Sequence, residues 1–409
     1  MFDRFFIFTK SNMPMNFFVS RVIRSVWLMI PIVLLAACGS SNPATSTPRP
    51  TLTQIPIIKP TTFPTVTPLP TAAPTVDPHV VATFAPDVNP LTGEKVSDPS
   101  VLDRRPLEIV IANSNEIGVR PQSGASYADW VFEHETEAPG ITRWGAIFYS
   151  RAPNGVGSDR SCRIIDDELP AIFKSLLACS GMSGGTREFY IKPSDFNQEQ
   201  RFFSPDFGDG APMFYRTDTA APPHNLFVNP AEVWKAADQR GSNSKPDLKG
   251  FAFAANPIAP GAPATDVALA YHSSTVEWKY NANATTCSSL DGCYLRWNDG
   301  ALHTDALNGQ QLSAANVIVI YVNYTEDHRY LEEEYGALKL YGWQIQLWGD
   351  SAGNVQIFRD GQEFDGQWSR PTRPDTLSFN DAKGQPIPLK PRNMWVELVK
   401  WDANVTVKP

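Results

Sequence analysis

A stretch rich in proline and threonine, from residue 39 to about residue 88, restricts folding to the part of the chain that follows it. Thr47-Pro48-Arg49-Pro50 and Thr67-Pro68-Leu69-Pro70 are typical of this stretch, which has few charges. Such a sequence cannot bury enough apolar surface to offset the entropy lost on ordering. It predicts a disordered, semi-extended tether that spans ~3 Å per residue where it is extended.

The residues before the tether carry an export and anchoring signal. A basic segment precedes an apolar run, Val26 to Leu35, which is too short to span a bilayer. The run ends in Leu35-Ala36-Ala37-Cys38, the pattern of a bacterial lipobox. We expect cleavage before Cys38 and attachment of a diacylglycerol to its sulfur, because several acyl chains hold a protein stably at a membrane. The alternatives are an ordinary secretory signal and an uncleaved N-terminal anchor.

These features divide the chain into four predicted segments. They are a lipoprotein signal peptide at 1–37, a lipid-anchored linker at 38–88, a mixed α/β domain at 89–243 and a mainly β domain at 244–409. Removing the signal peptide takes away four basic residues and one acidic residue, so the formal net charge changes from −8 to −11. An acidic chain lacks the basic face that nonspecific nucleic-acid binding needs, so no nucleic-acid partner is expected.

Strands alternate with helices in the first predicted domain. Buried strands are expected near Leu107–Ile111, Trp130–Phe132 and Ile141–Tyr149. Helical spacing runs from Ile164 to Lys174, although Pro170 should shift or kink the helix. A second helix is expected at Asn229-Pro230-Ala231-Glu232, where Asn is a good N-cap, Pro suits the first position and Glu the third, and this helix should end before Gly241.

The second predicted domain consists of short strands separated by turns, and it is expected to be mainly antiparallel. The whole fold is therefore predicted as α+β. Turns are expected at Asn298-Asp299-Gly300, Asp360-Gly361 and Asp365-Gly366. The tryptophans of this domain are expected mainly in its core, with an aromatic groove for sugar stacking as the alternative. The strands are expected at Val267–Tyr271, Val276–Tyr280, Tyr294–Trp297, Val317–Val322, Trp343–Leu347, Val355–Arg359 and Trp395–Val399.

Once Cys38 is assigned to lipid, four cysteines remain. An even number in an exported chain predicts two disulfides. Proximity in the sequence favours the pairs Cys287–Cys293 and Cys162–Cys179. No Cys-x-x-Cys pair and no two histidines at metal-ligand spacing occur, so neither a metal site nor a cofactor is expected.

Several arginines follow predicted strands, at positions where α/β folds place ligands. The planar guanidinium can donate two parallel hydrogen bonds to a carboxylate or a phosphate, so convergent arginines could form an anion site. The alternative is a structural network in which nearby acids neutralise the arginines. The arginines are Arg120, Arg143, Arg160 and Arg163, and the acids are Asp129, Glu133, Glu135 and Glu137.

Three further residues complete the candidate ligand-binding set. His224 and Asn225 lie in a proline-rigid loop, where His224 could act as a general base or fix the loop through a hydrogen bond. Ser161 lies between two of the candidate arginines, but it is in no Gly-x-Ser-x-Gly or Ser-x-x-Lys motif that would mark a nucleophile. The enzymatic interpretation assigns proton handling to Glu133 or His224. No catalytic set is recognisable.

A series of motifs resembles the YerB-like bacterial lipoproteins, in the same order along the chain. The resemblance extends over nearly everything after the tether and implies a two-domain extracytoplasmic lipoprotein. Where that family usually has Val-Arg-Ser-Ala-Arg, this chain has Asp159-Arg160-Ser161-Cys162-Arg163, so a disulfide that relatives lack would hold the loop. The motifs are Asn89–Gly93, Arg104–Pro106, Arg120–Gly124, Ile141–Arg143, Gly157–Arg163, Pro223–Leu226, Asp305–Gly309, Asn316–Val319, Phe358–Gly361 and Gln367-Trp368.

Three functional hypotheses follow. The first is a non-enzymatic, lipid-anchored envelope protein that binds an anionic or carbohydrate polymer, or a protein partner, outside the membrane. The second is an enzyme of envelope-polymer metabolism in which the arginines bind a phosphate or carboxylate group of the substrate. The third is a purely structural or assembly role. The family is named for unknown function, so the resemblance does not choose among them.

Overall fold

The computed structural model describes residues 84–248, 251–257, 259–272, 274–283, 287 and 292–409. The predicted signal peptide, the lipobox with Cys38 and nearly all of the predicted tether lie outside these residues. No helix in this described part is long and apolar enough to cross a membrane.

The first half of the described chain combines short strands with short helices. The strands are β1 (Leu107–Asn113), β2 (Trp130–Glu135), β3 (Thr142–Phe148), β4 (Val156–Gly157), β5 (Leu176–Ala178), β6 (Phe202–Phe203), β7 (Phe214–Arg216) and β8 (Leu226–Val228). The α-helices are α1 (Leu169–Phe173), α2 (Gly184–Thr186), α3 (Asp195–Gln198) and α4 (Pro230–Arg240), and a π-helical turn spans Arg187–Ile191. Short 3₁₀ helices occupy Pro99–Leu102, Ala125–Tyr127, Ile164–Asp167 and Pro205–Phe207.

The second half is built almost entirely of strands. They are β9 (Ala262–Pro263), β10 (Asp266–Tyr271), β11 (Ser274–Asn281), β12 (Cys293–Asn298), β13 (Ala301–Leu302), β14 (Ser313–Ala314), β15 (Asn316–Val322), β16 (Tyr324–Asp327), β17 (Glu333–Tyr335), β18 (Leu338–Leu340), β19 (Gly342–Ile345), β20 (Gly353–Arg359), β21 (Gln362–Ser369), β22 (Ser378–Asn380), β23 (Met394–Lys400) and β24 (Thr406–Lys408). A 3₁₀ helix spans Gly349–Ser351. The structure thus confirms the predicted α+β fold with a strand-rich second part.

An eleven-stranded sheet runs through both halves. Its order is β22-β21-β20-β15-β23-β2-β3-β1-β5-β6, and β9 pairs with β21. Strand β23 pairs in parallel with β15 on one side and with β2 on the other, so it joins the strands of the two halves. The segments 89–243 and 244–409 therefore share one sheet, and their division into separate domains stays a prediction.

Apolar cores cover both faces of this sheet. On one face, Val131 and Trp144 belong to a core that includes Val267 and Trp278 from a second sheet, of order β13-β12-β11-β10-β24 with β14 beside β12. On the opposite face, Phe132 packs in a core with residues of α1. The central sheet is consequently buried on both sides, which fixes the direction of every side chain that it carries.

The residues predicted to begin and end the second helix do so in the structure. The side chain of Asn229 accepts a hydrogen bond from the Ala231 N–H at 3.1 Å, and α4 ends at Gly241, which has a φ of 70°. Pro170 separates the region predicted as one helix into a 3₁₀ segment and α1, because its ring and missing N–H do not fit a helix interior. These features show that local sequence preferences agree with the tertiary fold here.

One predicted turn is wrong. Asp365-Gly366 lies inside β21, whereas Asp299-Gly300 and Asp360-Gly361 do form turns with positive φ angles. A Cβ on Gly366 would lie 2.5 Å from the Asn380 carbonyl oxygen, so the glycine allows two backbones to approach closely.

The tryptophans of the second half divide between core and surface. Trp278, Trp368 and Trp395 are buried, as the core interpretation predicts. Trp297, Trp343 and Trp348 are half-buried.

Candidate functional site

The alternation of side chains along β2 separates the candidate residues onto two faces of the central sheet. Glu133 points to the face that the second sheet covers, and His134 points to the other. His134 lies directly opposite Arg143 of β3, so these two side chains share a face. Glu133 and Arg143, which the sequence analysis placed in one candidate set, therefore lie on opposite faces.

A row of polar side chains crosses the sheet on the Arg143 face. Arg143 lies opposite Ala112 of β1, and the Ala112 N–H donates to the Ser158 carbonyl oxygen at 2.9 Å. Arg160 lies one step away on the same face, because its N–H donates to the Val110 carbonyl oxygen at 3.0 Å. We call the set of His134, Arg143, Ser158 and Arg160 the polar face.

Each side chain of the polar face has a buried polar atom without a hydrogen-bond partner among the described residues. These atoms are His134 Nε2, Arg143 Nε, Ser158 Oγ and Arg160 Nε. Arg143 is only 4% exposed, and its Nη1 donates to the Thr142 carbonyl oxygen at 3.0 Å. No salt bridge of the described chain involves Arg143 or Arg160. Buried polar groups are nearly always satisfied, so these unsatisfied atoms make the polar face a candidate site for an external partner.

The charges of the polar face follow from burial. Burial, reinforced by the neighbouring Arg163 and Arg160, lowers the pKa of Arg143 to about 9, so its guanidinium is still protonated at neutral pH. Burial also lowers the pKa of Arg160, which Glu116 partly opposes. Neither cation has an acid within ion-pair distance in the described structure. The buried Asp159, whose carboxylate oxygens also have no hydrogen-bond partner there, acts on both arginines, and burial raises its pKa well above its usual value.

His134 offers an acceptor next to these cations. Burial, together with Arg143 and Arg163, lowers its pKa to about 3, so the imidazole is neutral at neutral pH. Its Nδ1 lies 3.1 Å from the Glu135 carbonyl oxygen. A carbonyl can only accept, so Nδ1 carries the proton and Nε2 is left as an acceptor. The polar face thus combines donors from arginine with one acceptor from histidine.

Arg163, in contrast, belongs to a structural ion-pair network. Its Nε donates to Glu137 Oε2 at 2.9 Å, and its Nη atoms lie 3.6 Å from Glu332 and 3.5 Å from Glu333. Glu332 also accepts hydrogen bonds from Ser183 and Thr186. These ion pairs and hydrogen bonds attach the β17–β18 hairpin of the second half to the segment that carries Arg163, Ser183 and Thr186.

Arg120 and Glu133 lie away from the polar face. Arg120 Nη1 is 2.7 Å from Asp299 Oδ2. Glu133 accepts from Thr142 at 2.6 Å and pairs with Arg296 at 2.5 Å. The structural-network interpretation thus describes Arg120 and Arg163, while Arg143 and Arg160 remain without acid partners.

His224 is the candidate that approaches the polar face from a loop. Its Nε2 is 3.7 Å from Glu116 Oε2, and its Nδ1 is buried without a hydrogen-bond partner in the described chain. Burial and then the charge of Arg160 lower its pKa.

Asn225 and Ser161 have other surroundings. Asn225 accepts from Arg216 at 2.7 Å and donates to the Thr217 carbonyl oxygen at 3.0 Å, so it stabilises the β7–β8 hairpin. Ser161 lies beside Gly181, where an added Cβ would be 3.0 Å from its Oγ. Neither side chain belongs to the polar face.

Both expected disulfides are present. Cys162 pairs with Cys179, with 5.6 Å between the Cα atoms, and Cys287 pairs with Cys293, with 5.8 Å between them. The first disulfide closes the segment that directly follows Ser158 and Arg160. Within the described ranges, no three His, Cys, Asp or Glu side chains are grouped as metal ligands would be.

The sequence analysis missed His134 and Ser158. The turn between β2 and β3 could have revealed His134, because a hairpin centred between Glu135 and Thr142 places it opposite Arg143. No comparable signal exists for Ser158, since its segment joins β1 through an isolated bridge rather than a regular strand.

Comparisons with family models, with curated proteins and with solved structures all indicate the same family. The model of the DUF3048 N-terminal domain, described as a protein of unknown function, matches residues 91–243, and the DUF3048 C-terminal domain matches residues 267–396. YerB of Bacillus subtilis (strain 168), a relative named as a lipoprotein, is 29% identical over 314 residues, which are 76% of this chain and 85% of YerB. A crystal structure of YerB from Bacillus subtilis aligns with a TM-score of 0.63 and 26% identity, covering 78% of this chain and 99% of that chain.

Proposed function

The chain belongs to the DUF3048 family, and on that premise we propose that it is a lipid-anchored envelope protein that binds an anionic group outside the membrane. Cys38 would carry the lipid, as the lipobox predicts, and the similarity to a relative named as a lipoprotein supports this location. The polar face would be the binding site. The ligand would be a phosphate or carboxylate carried by an envelope polymer or by a protein partner.

The observation that carries this proposal is the pair of unpaired arginines. A buried charge without a partner costs several kcal/mol, roughly 3–5 where a buried ion pair has been broken. An anion bound between Arg143 and Arg160 would supply the missing counter-charge. His134 Nε2 would accept a hydrogen bond from the same ligand, so the site favours a phosphate or carboxylate with a neighbouring hydroxyl.

One observation keeps an enzymatic alternative open. His224 has a buried Nδ1 without a hydrogen-bond partner in the described chain, and the charge of Arg160 acts on its ring, as expected of a group that moves a proton at a bound anion. The other proton-handling candidate of the sequence analysis, Glu133, is engaged with Arg296 on the opposite face of the sheet. An enzyme of envelope-polymer metabolism would therefore depend on His224.

Anion titration of the purified full-length protein tests the binding proposal. Inorganic phosphate, glycerol phosphate and acetate would be added at constant ionic strength, so that screening does not change, and the unfolding temperature would be recorded. We expect glycerol phosphate to stabilise the wild type most strongly. Arg160→Ala should reduce its affinity at least tenfold, because one of two charge-assisted contacts is lost.

The matched control is Arg187→Ala, which removes an arginine that is half exposed and weakly paired. It should leave the affinity unchanged. Equal affinities for wild type and Arg160→Ala, with both proteins folded, would remove the polar face as the site. His224→Gln should leave binding intact, and loss of a turnover reaction in that variant would favour the enzymatic alternative.

A further inference from the structure

A cleft separate from the polar face lies where the two halves of the chain meet. It has a volume of about 470 Å³. Its walls come from the loop after β1 and from the β12–β13 hairpin. We call it the junction cleft, and it is lined by Asn115, Arg120, Pro121, Asn298, Asp299, Ala301, Leu302, His303 and Thr304.

Arg120, which lines this cleft, has one unused donor group. Its Nε donates to Asn113 Oδ1 and its Nη1 to Asp299 Oδ2, each at 2.7 Å. Its Nη2 is buried and has no hydrogen-bond partner among the described residues. Since Asp299 already balances the charge, Nη2 calls for a neutral acceptor, such as a carbonyl oxygen, rather than a second anion.

The second wall of the cleft is the edge of a sheet. Strand β13 is the last strand of its sheet and pairs only with β12 in the described chain. The His303 N–H donates to the Arg296 carbonyl oxygen, and hydrogen-bonded pairs alternate with non-hydrogen-bonded pairs in an antiparallel ladder. The pair Trp297 and Leu302 is therefore non-hydrogen-bonded. It follows that the N–H and C=O of Leu302 point outward, away from β12.

Leu302 also exposes its side chain. The residue is 58% exposed, next to Ala301, which is exposed as well. An edge strand with outward backbone groups and an apolar side chain is a template for pairing with another extended chain. Sheets that bind peptides in this way obtain affinity from the main chain and specificity from alternate side chains.

The floor of the cleft is rigid. His303 is buried, its Nε2 lies 2.7 Å from Gln122 Oε1, and its Nδ1 accepts from Arg296 Nε at 3.2 Å. These contacts connect the floor to the buried ion pair of Arg296 with Glu133. The His303 side chain is thus already fixed by hydrogen bonds, so it loses little conformational freedom on binding.

We propose that the junction cleft binds an extended, uncharged peptide segment of a partner protein by adding a strand to β13. One residue of the peptide exchanges two hydrogen bonds with Leu302, and a peptide carbonyl accepts from Arg120 Nη2. An apolar side chain of the peptide packs against Leu302 and Ala301. A sugar could accept from Arg120, but it lacks the alternating N–H and C=O groups that the edge of β13 matches.

Selection from a phage-displayed library of random heptapeptides on the full-length protein tests this proposal. Selected peptides, synthesised with blocked ends, should bind the wild type, and Leu302→Pro should weaken them at least tenfold because proline has no N–H to donate. Leu302→Ala keeps the N–H and is the matched control, with a loss of only a few-fold. Arg160→Ala should have no effect, so failure here is distinguishable from failure of the polar face.

Hydrogen exchange at Leu302 provides a second measurement that needs no variant. The amide of Leu302 should exchange at least tenfold more slowly when a selected peptide is bound. Failure to select any peptide, or binding that leaves both Leu302 exchange and Leu302→Pro affinity unchanged, would overturn the proposal. Binding of N-acetylglucosamine oligomers that survives Leu302→Pro, without any peptide binding, would assign the cleft to sugars instead.

Discussion

Glu133 of the first half and Arg296 of the second half form an ion pair in which both side chains are completely buried, with Oε2 and Nη2 2.5 Å apart. Arg296 also pairs with Glu397 at 2.8 Å, and Glu397 accepts from Trp278 Nε1 and the Tyr271 hydroxyl. One cation in this triad thus faces two carboxyl groups, and the charges balance when one of the carboxyls is protonated. Its members come from three different strands, so the triad specifies how the halves fit together.

Arg296→Met should lower the free energy of unfolding by about 3–5 kcal/mol, because it leaves two carboxylates buried without their shared cation. Urea unfolding followed by tryptophan fluorescence measures this change. Arg329→Met is the control, since Arg329 is half exposed beside Asp327 and a surface pair contributes only about 0–1 kcal/mol. Similar losses in the two variants would show that the triad does not stabilise the fold.

The triad should also make stability depend on pH. Burial, and then the charge of Glu133, raises the pKa of Glu397 from 4.5 to about 7. The folded state then binds this proton more tightly than the unfolded state, so the contribution is complete below about pH 4.5 and is lost as the pH rises toward about 7, at up to about 1.4 kcal/mol per pH unit. Glu397→Gln should remove this slope from unfolding curves recorded between pH 4.5 and 7. A slope that persists unchanged would assign it to another group.

His134 should have the opposite effect at lower pH. Its pKa falls from 6.5 to about 3 in the folded protein, so the unfolded state takes up a proton that the folded state excludes. Stability should decrease as the pH drops from about 6.5 toward 3. His134→Gln should remove part of this loss in acid unfolding experiments, whereas His328→Gln, at an exposed position, should not. Identical acid sensitivity of wild type and His134→Gln would contradict the assignment.

The two disulfides should contribute unequally. Cys162 and Cys179 are 17 residues apart and Cys287 and Cys293 are 6 apart. In the chain-entropy model the longer loop gives about 3 kcal/mol and the shorter about 2. The Cys162→Ala/Cys179→Ala variant should also bind anions more weakly, because Cys162 lies two residues after Arg160 and the disulfide holds that end of the segment in place. Unfolding and titration of both double variants check this, and an equal effect on anion affinity would argue against it.

Glu333 should compete with the anion at the polar face. It lies 3.5 Å from Arg163, and its charge also acts on Arg143 and Arg160. Glu333→Gln removes this charge and should strengthen glycerol phosphate binding several-fold. Glu334→Gln, which removes the neighbouring charge of the same strand, is the matched control, because alternate residues of a strand face opposite ways. Equal affinities in the two variants would show that the hairpin does not compete.

Much of the fold was predictable because local signals agreed with burial. The strands around Leu107, Trp130 and Val317 and the capped helix at Asn229 follow from short-range patterns. The shared sheet was not predictable in this way, since β2 and β23 pair across more than 250 residues and no local pattern encodes such a pairing. Gly366 was also mispredicted from local sequence. An Asp-Gly pair is compatible both with a turn and with a strand position where another backbone packs closely, as it does here.

The candidate site was predictable only in part. Arg143 and Arg160 were found from their residue type, and both lie on the polar face. The expected position after a strand is wrong for Arg143, which lies inside β3. Glu133 is a similar candidate, yet the alternation of side chains along β2 places it on the opposite face, and Arg120, in the loop after β1, pairs with Asp299. The direction of a side chain depends on register, which residue type does not reveal.

Strand β23 makes the centre of the molecule the last part of the central sheet to form. It lies between β15 and β2, although its residues 394–400 follow those of every other strand of that sheet in the chain. While the polypeptide is being synthesised or exported, β15 and β2 cannot be joined until residue 400 has emerged. A premature stop before residue 394 would therefore leave the sheet divided in its middle.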